Sequence, residues 1–320
     1  MGARVQTVAN SSPGGSLAAG GPLPAGGPLS AFGARVAGHL GLAKLSLCYL
    51  MTASAFTAYV ARKPVLDATV LETLFALFLL CLGSATLNNY QDRDIDSRLE
   101  RTRRRPLARG EISSRAALVQ AAVLILTGSV GLFLASGSVA LPLTGLVAVA
   151  FYNGIYTPLK RRTVLAILPG AVCGMLPVLM GWMAAGGESG LGSPKLWILM
   201  VVFGVWQLPH FWLVVLAHRE DYRSSGIPSM LRILSVGQLR QLVFLWAAAF
   251  VVLTLCLPLY RVILSETAAW ILLANAVALA TVFGILLRGD RDRYRVLFRH
   301  LSLSLAIVMS VILIDGIALS

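Results

Sequence analysis

The chain has 320 residues, of which 57% are hydrophobic and only 13% charged, and its 27 Lys and Arg outnumber its 14 Asp and Glu. A soluble domain carries about a quarter charged residues, so a water-facing fold cannot hide this much apolar surface and lipid must solvate much of the chain. The formal charge of +13 would suggest a nucleic-acid partner in a soluble domain. Here the basic residues stand in short stretches between apolar runs, the pattern of loops beside an anionic membrane, and no nucleic acid is implied.

Residues 1–34 are rich in Gly, Ala, Ser and Pro and nearly devoid of large apolar side chains, so a disordered extension is expected ahead of a membrane domain over 35–320. The segment has no apolar stretch of the kind a secretory signal needs, and Gln6 stands where a myristoylation motif has Ser or Thr. From there on, long apolar runs alternate with short polar ones. A bilayer-crossing helix needs roughly 20 apolar residues, whereas barrel strands are near 10 and alternate in polarity. Nine helical spans are expected, at 43–60, 68–88, 115–136, 139–157, 164–185, 196–217, 239–259, 267–287 and 301–319. The fold class is therefore an all-α integral membrane bundle of nine transmembrane helices. The four cysteines, Cys48, Cys81, Cys173 and Cys256, fall inside apolar runs without a paired motif and read as small packing residues.

The basic residues orient the bundle. Loops after even-numbered spans hold Arg93, Arg98, Arg101, Arg103, Arg104, Arg105, Arg109 and Arg115, then Lys160, Arg161 and Arg162, then Arg219, Arg223, Arg232 and Arg240, then Arg288, Arg291, Arg293, Arg295 and Arg299. Loops after odd-numbered spans hold only Arg62, Lys63, Lys195 and Arg261, while Arg4, Arg35 and Lys44 precede the bundle or open its first span. Positive charge stays inside, so the N-terminus and the even loops are expected in the cytoplasm and the C-terminus outside.

The second span runs into Asn88-Asn89-Tyr90-Gln91-Asp92-Arg93-Asp94-Ile95-Asp96. Asn88, Asp92 and Asp96 recur at i, i+4 and i+8 and share one face if the helix continues. Such a stripe of oxygen ligands suits a hard cation such as Mg²⁺ bridging carboxylates to a substrate phosphate. The plain alternative is a solvated acidic helix end balanced by its arginines. Directly after come Arg101 and Arg103–Arg105, and guanidinium groups grip phosphate bidentately. The loop after span four, Tyr156-Thr157-Pro158-Leu159-Lys160-Arg161-Arg162-Thr163, is by itself a basic membrane loop. Span six ends in Trp206-Gln207-Leu208-Pro209-His210-Phe211-Trp212, followed by Glu220-Asp221-Tyr222 and Gly226-Ile227-Pro228. Pro209 interrupts local helix bonding and turns His210 towards a cavity; a packed, hydrogen-bonded His is the plain reading. Asp290 and Asp292 lie among arginines and read as a solvated loop. Asp315, inside the last span, reads as an internally bonded or snorkelling acid on the face away from the motifs.

These strings resemble the UbiA-type intramembrane prenyltransferases. Asn88, Asp92, Asp96, Glu100-Arg101-Thr102 and Arg105-Pro106-Leu107 match the first signature of that family position by position. The Trp-Gln-x-Pro-His-Phe-Trp string, with Asp221-Tyr222 and Gly226-Ile227-Pro228, is similar to its haem O synthase branch. Ser229-Met230-Leu231-Arg232 and Leu165–Gly170 depart from the usual wording and mark a divergent member. The resemblance implies a bundle with a cavity open to the cytoplasm and to lipid, in the inner membrane. It implies farnesyl diphosphate as donor, its diphosphate on Mg²⁺ held by Asn88, Asp92, Asp96 and Asp221 and clamped by Arg101, Arg105, Lys160 and Arg161. It implies a vinyl group of haem B as acceptor, with water quenching the resulting cation, His210 serving the acceptor, and Tyr90, Tyr156, Trp206 and Gln207 lining its pocket. Aromatic faces, Tyr152 and Trp212 among them, can shield an allylic cation. Haem A synthase or terminal-oxidase assembly is implied as a partner. Other readings are a prenyltransferase with a phenolic or quinone-precursor acceptor, a CDP-alcohol phosphotransferase, whose Asp-Gly-x-x-Ala-Arg signature is missing, and a transporter, whose polar residues would sit at mid-membrane.

Overall fold

With no water in the hydrocarbon layer, every backbone N–H and C=O must be satisfied within its own segment, which selects helices for runs of this length. A computed structural model of the chain describes Gly33, residues 37–288 and residues 293–319. The 1–34 extension, Gly33 apart, and the Asp290/Asp292 loop lie outside the described residues. Within the described residues the long helices are α1 (Leu45–Arg62), α2 (Ala68–Asp96), α3 (Ser114–Ser136), α4 (Ala140–Ala150, continued through a π-helical turn, Phe151–Tyr156, to Leu159), α5 (Ile167–Ala184), α6 (Pro194–Ala217), α8 (Val236–Leu255), α9 (Glu266–Arg288) and α10 (Tyr294–Ala318). A short helix, α7 (Arg219–Ser225), follows α6, and there is no strand among the described residues.

Eight of these helices are long and apolar enough to cross a membrane. The remaining one, α1, falls outside that set, so the expected count of nine is one more than length and composition support. The reason lies in its sequence: Ser46, Thr52, Ser54 and Thr57 dilute its apolar character. Ser54 and Thr57 are buried, and their hydroxyls bond back to Met51 O at 2.7 Å and Ala53 O at 2.9 Å. Its buried side packs on α5, α2 and α10. Large apolar side chains remain exposed along the outside of the bundle, among them Leu71, Phe75, Leu126, Leu134, Leu245 and Trp270. On a soluble protein these would be a liability; in a bilayer they are the wetted surface.

Two features position the ends. Helix α2 does not stop at residue 88, where its apolar run stops, but continues to Asp96, and this carries the acidic stripe on one rigid element. Asp315, buried in α10, accepts hydrogen bonds from the backbone N–H of Leu264 at 2.6 Å and of Ser265 at 3.1 Å, and from the Ser265 hydroxyl. It therefore caps the approach to α9 and has its charge satisfied within the protein, as an internally bonded intramembrane acid must. The motif-bearing segments, the ends of α2, α4 and α6 and the starts of α1 and α10, all meet at the opposite end of the bundle, where they line one cavity.

Candidate active site

The cavity has a volume of about 640 Å³. Asn88, Asp92 and Asp96 line it from one face of α2 and are all buried. A buried carboxylate persists only with a partner, and each of the three residues has a basic one from a different part of the chain. Lys160, just after α4, donates to Asp92 Oδ2. The Arg105 guanidinium donates to Asp96 Oδ2 at 2.6 Å and to Asn89 Oδ1 at 3.1 Å. Lys44, immediately ahead of α1, donates to Asn88 Oδ1, while the Asn88 amide donates to Thr157 Oγ1 at 2.8 Å. Arg161 stands 3.7 Å from Asp92 Oδ1 and donates to the Gln91 carbonyl. Arg101 also lines the cavity.

Asp92 Oδ1 is buried and has no hydrogen-bond partner among the described residues, although the Arg161 charge lies just beyond bonding range. A carboxylate oxygen without a hydrogen bond on a cavity-lining residue, beside a second carboxylate and an amide oxygen, is a donor set that fits Mg²⁺, which uses one or two carboxylates and completes its shell with phosphate oxygens and water. No group of three or more His, Cys, Asp and Glu side chains is arranged for a metal among the described residues.

A second, apolar cavity of about 180 Å³ runs deeper between the helices. It shares Leu47, Tyr152, Tyr156 and Phe211 with the polar one and reaches Leu77, Leu80 and Met180. The two tyrosines stack at 5.4 Å across the junction. Small residues on α5 make room here. A Cβ on Gly170 would lie 2.9 Å from the Tyr156 ring, and one on Gly174 would lie 1.2 Å from the Gln207 amide nitrogen. The glycines of that helix thus clear space for two cavity side chains.

His210 lines the polar cavity, with its ring between Trp206 at 4.4 Å and Phe298 at 4.5 Å. Its Nδ1 is buried and unpartnered among the described residues. Trp206 itself is one layer back, its indole N–H donating to Leu301 O at 3.0 Å. At the mouth, burial lowers the His218 imidazole below its ordinary value, helped by the nearby Arg101 and Arg295 charges and opposed by Asp221.

The expected site residues Asp221, Tyr90 and Trp206 line neither cavity, and Gln207 lines the apolar one. The Asp221 carboxylate accepts from the backbone N–H of Glu100 at 3.0 Å and of Arg101 at 3.4 Å and does not line the cavity. In this arrangement it pins the 97–113 loop. Tyr90 stacks under Arg93 at 4.5 Å and packs against Leu42, Leu107 and Ile112, because its register on α2 turns it away from the stripe; it belongs to neither cavity. Conversely, Lys44 and Phe298 line the site without belonging to any of the motifs, while Tyr222, from the Asp221-Tyr222 string, lines it as well. Lys44 carried a usable signal, as the lone cation opening an otherwise uncharged apolar run. Phe298 carried none.

The UbiA prenyltransferase family model matches residues 49–305. The chain belongs to the UbiA prenyltransferase family. It is 41% identical over 206 residues to the protoheme IX farnesyltransferase of Geobacter sulfurreducens, covering 64% of this chain and 74% of that protein. It is 35% identical over 271 residues to the protoheme IX farnesyltransferase of Nitratidesulfovibrio vulgaris, covering 84% and 92%. Among solved structures it is similar to a digeranylgeranylglyceryl phosphate synthase, at a TM-score of 0.70 and 16% identity over 89% of this chain and 99% of that one. It is also similar to a UbiA homologue from Archaeoglobus fulgidus bound to DMAPP and Mg²⁺, at a TM-score of 0.61 and 14% identity over 88% and 99%. At these identities the structural likeness carries the fold. The UbiA architecture accounts for a multi-pass membrane protein whose polar motifs converge at one end.

Proposed function

We propose that this UbiA-family member transfers a farnesyl group from farnesyl diphosphate to a vinyl group of haem B, with addition of water, giving haem O and diphosphate. The observation that carries the donor half is the junction of the two cavities. A charged compartment that suits a diphosphate opens through Tyr152 and Tyr156 into an apolar compartment that suits a prenyl chain. The names of the most similar relatives, protoheme IX farnesyltransferases, favour haem as the acceptor.

In this reading Asn88, Asp92 and Asp96 hold Mg²⁺, and Arg101, Arg105, Lys160 and Arg161 hold the diphosphate oxygens. The metal, when bound, lowers the charge of the departing diphosphate. The chain's own cations stabilise the same developing charge in a cavity with little water, where fixed charges act most strongly. Tyr152 and Tyr156 shield the allylic cation with their ring faces at the junction and keep water from it until the acceptor carbon attacks. His210, Phe211 and Phe298 line the cavity with aromatic surface for a planar macrocycle, with Trp206 packed behind the His210 ring, and the His210 imidazole is placed to serve a polar group of the acceptor or the quenching water. Asp221 contributes by holding the Glu100–Arg101 backbone, and so the Arg101 side chain, at the mouth.

The test is purified protein with haem B, Mg²⁺ and allylic diphosphates of several chain lengths, read by product mass. The expected product is haem B plus one farnesyl group and one hydroxyl, the second proton of the water being released with the diphosphate. A prenylated phenol or quinone precursor formed in place of haem O, with no haem absorbance on the protein, would move the proposal to the alternative acceptor class.

The orientation is part of the same proposal, motivated by the concentration of basic residues in the loops at the site end of the bundle. The site end faces the cytoplasm and the C-terminus lies outside. A reporter active only outside the inner membrane is expected to be active when fused after Ser320 and silent after Arg109. The reverse pattern would overturn the orientation.

A further inference from the structure

The pairing of bases with oxygens in the cavity has a regularity that the donor reading does not require. Each of the three stripe residues is hydrogen-bonded by a base from a separate segment, Lys44 on Asn88, Lys160 on Asp92 and Arg105 on Asp96, and Arg161 adds a second charge 3.7 Å from Asp92. The acids are nearly sealed, with side chains 5% and 7% exposed for Asp92 and Asp96, whereas Lys160 and Arg105 keep 26% and 28% of theirs open to the cavity. Lys160 and Arg105 are thus both the counter-ions of the two acids and groups open to an incoming anion, while Lys44 rests on the neutral Asn88 amide oxygen.

We propose that Lys44, Lys160 and Arg105 form an exchange lock, so that a divalent cation and a diphosphate bind this site as one unit and each only weakly without the other; Lys44 is its third arm. The inference rests on the donor reading above. Electrostatics gives the reason. A dication alone would have to displace ammonium and guanidinium groups from Asp92 and Asp96 and then stand beside them, with two acids facing a dication and three bases. A diphosphate alone would draw the bases away and leave buried carboxylates unpaired, which is strongly unfavourable. Arriving together, the cation takes the carboxylates while the diphosphate takes the freed bases, and every charge has a partner again. The lock also keeps stray divalent cations out of the stripe when no donor is present.

The experiment uses the full-length protein in lipid nanodiscs, with Mn²⁺ as the metal probe followed by spin resonance and pyrophosphate as the anion probe, corrected for Mn²⁺–pyrophosphate complexes in solution. The expected result is that saturating pyrophosphate tightens Mn²⁺ binding on the order of tenfold or more, and that Mn²⁺ tightens pyrophosphate by the same factor, since coupling is reciprocal. In Lys44→Met and Lys160→Met, Mn²⁺ alone is expected to bind more tightly than in the wild type, and the coupling factor is expected to shrink towards one. Equal Mn²⁺ affinity with and without pyrophosphate in the wild type overturns the lock while leaving the donor site standing, and that measurement needs no variant. Weaker Mn²⁺ binding in folded lysine variants overturns it as well. Absence of Mn²⁺ binding even with pyrophosphate would overturn the donor reading itself.

Discussion

Asp92→Ala and Asp96→Ala are each expected to lower turnover on the order of 100-fold or more, while the protein still expresses and enters the membrane. Losing one carboxylate from a shared cation site removes charge stabilisation that matters most as diphosphate departs, and a loss of about 3 kcal/mol in the transition state corresponds to that factor. The cavity adds a complication to the test. Asp92 neutralises Lys160, and Asp96 neutralises Arg105, so removing either acid leaves a half-buried cation without its partner. Asp92→Asn and Asp96→Asn keep the shape and separate the two effects, since turnover should still fall with less change in melting temperature. Asp94→Ala is the control. Its side chain is 64% exposed and only 3.7 Å from Arg93, on the face of α2 away from the stripe, and its removal should leave turnover unchanged. Near-wild-type rates in either stripe variant would reduce the stripe to a set of structural buried ion pairs.

His210→Ala is expected to lower turnover with haem by roughly 100-fold, the scale of a misplaced acceptor, with farnesyl diphosphate affinity unchanged. The motive is geometric: a cavity-lining imidazole with a buried, unpartnered Nδ1, held between Trp206 and Phe298. Asn88, Asp92 and Asp96 reach the cavity from α2, a separate helix, so acceptor and donor effects should separate. A merely packed His predicts instead a lower melting temperature with parallel loss of haem and diphosphate binding. Measuring both affinities, the melting temperature and the haem absorption band on this one variant separates these outcomes. Unchanged haem affinity and turnover would remove His210 from the site, and an altered haem band would assign it to the iron.

The sequence alone was enough for the elements whose cause is local. Run length decides that 68–88 and 196–217 are helices in lipid, because backbone groups there have no other partner. The i, i+4, i+8 spacing decides that Asn88, Asp92 and Asp96 share a face, because α2 continues through them. The count of spans was less secure, since α1, which holds Arg62 and four Ser and Thr residues, is not among the helices long and apolar enough to cross a membrane. The family strings located the site as a region, but not the company each residue keeps.

That company was decided only by the tertiary structure. Lys44 reaches Asn88 across 44 residues and Lys160 reaches Asp92 across 68, and nothing in the spacing of either lysine specifies its partner. Asp221 was legible as an acid near the motif, yet its carboxylate is turned onto the Glu100 and Arg101 backbone by the packing of the loop. Tyr90 is two residues from Asn88 and from Asp92, and that offset of two on a helix sends it to another face. His210 meets Phe298 only because α10 packs against α6. Spacing along one helix is a property of the local backbone, fixed by 3.6 residues per turn. Which helices adjoin, and at what rotation, follows from the summed packing of the whole bundle, and the pairing of acid with base is settled there.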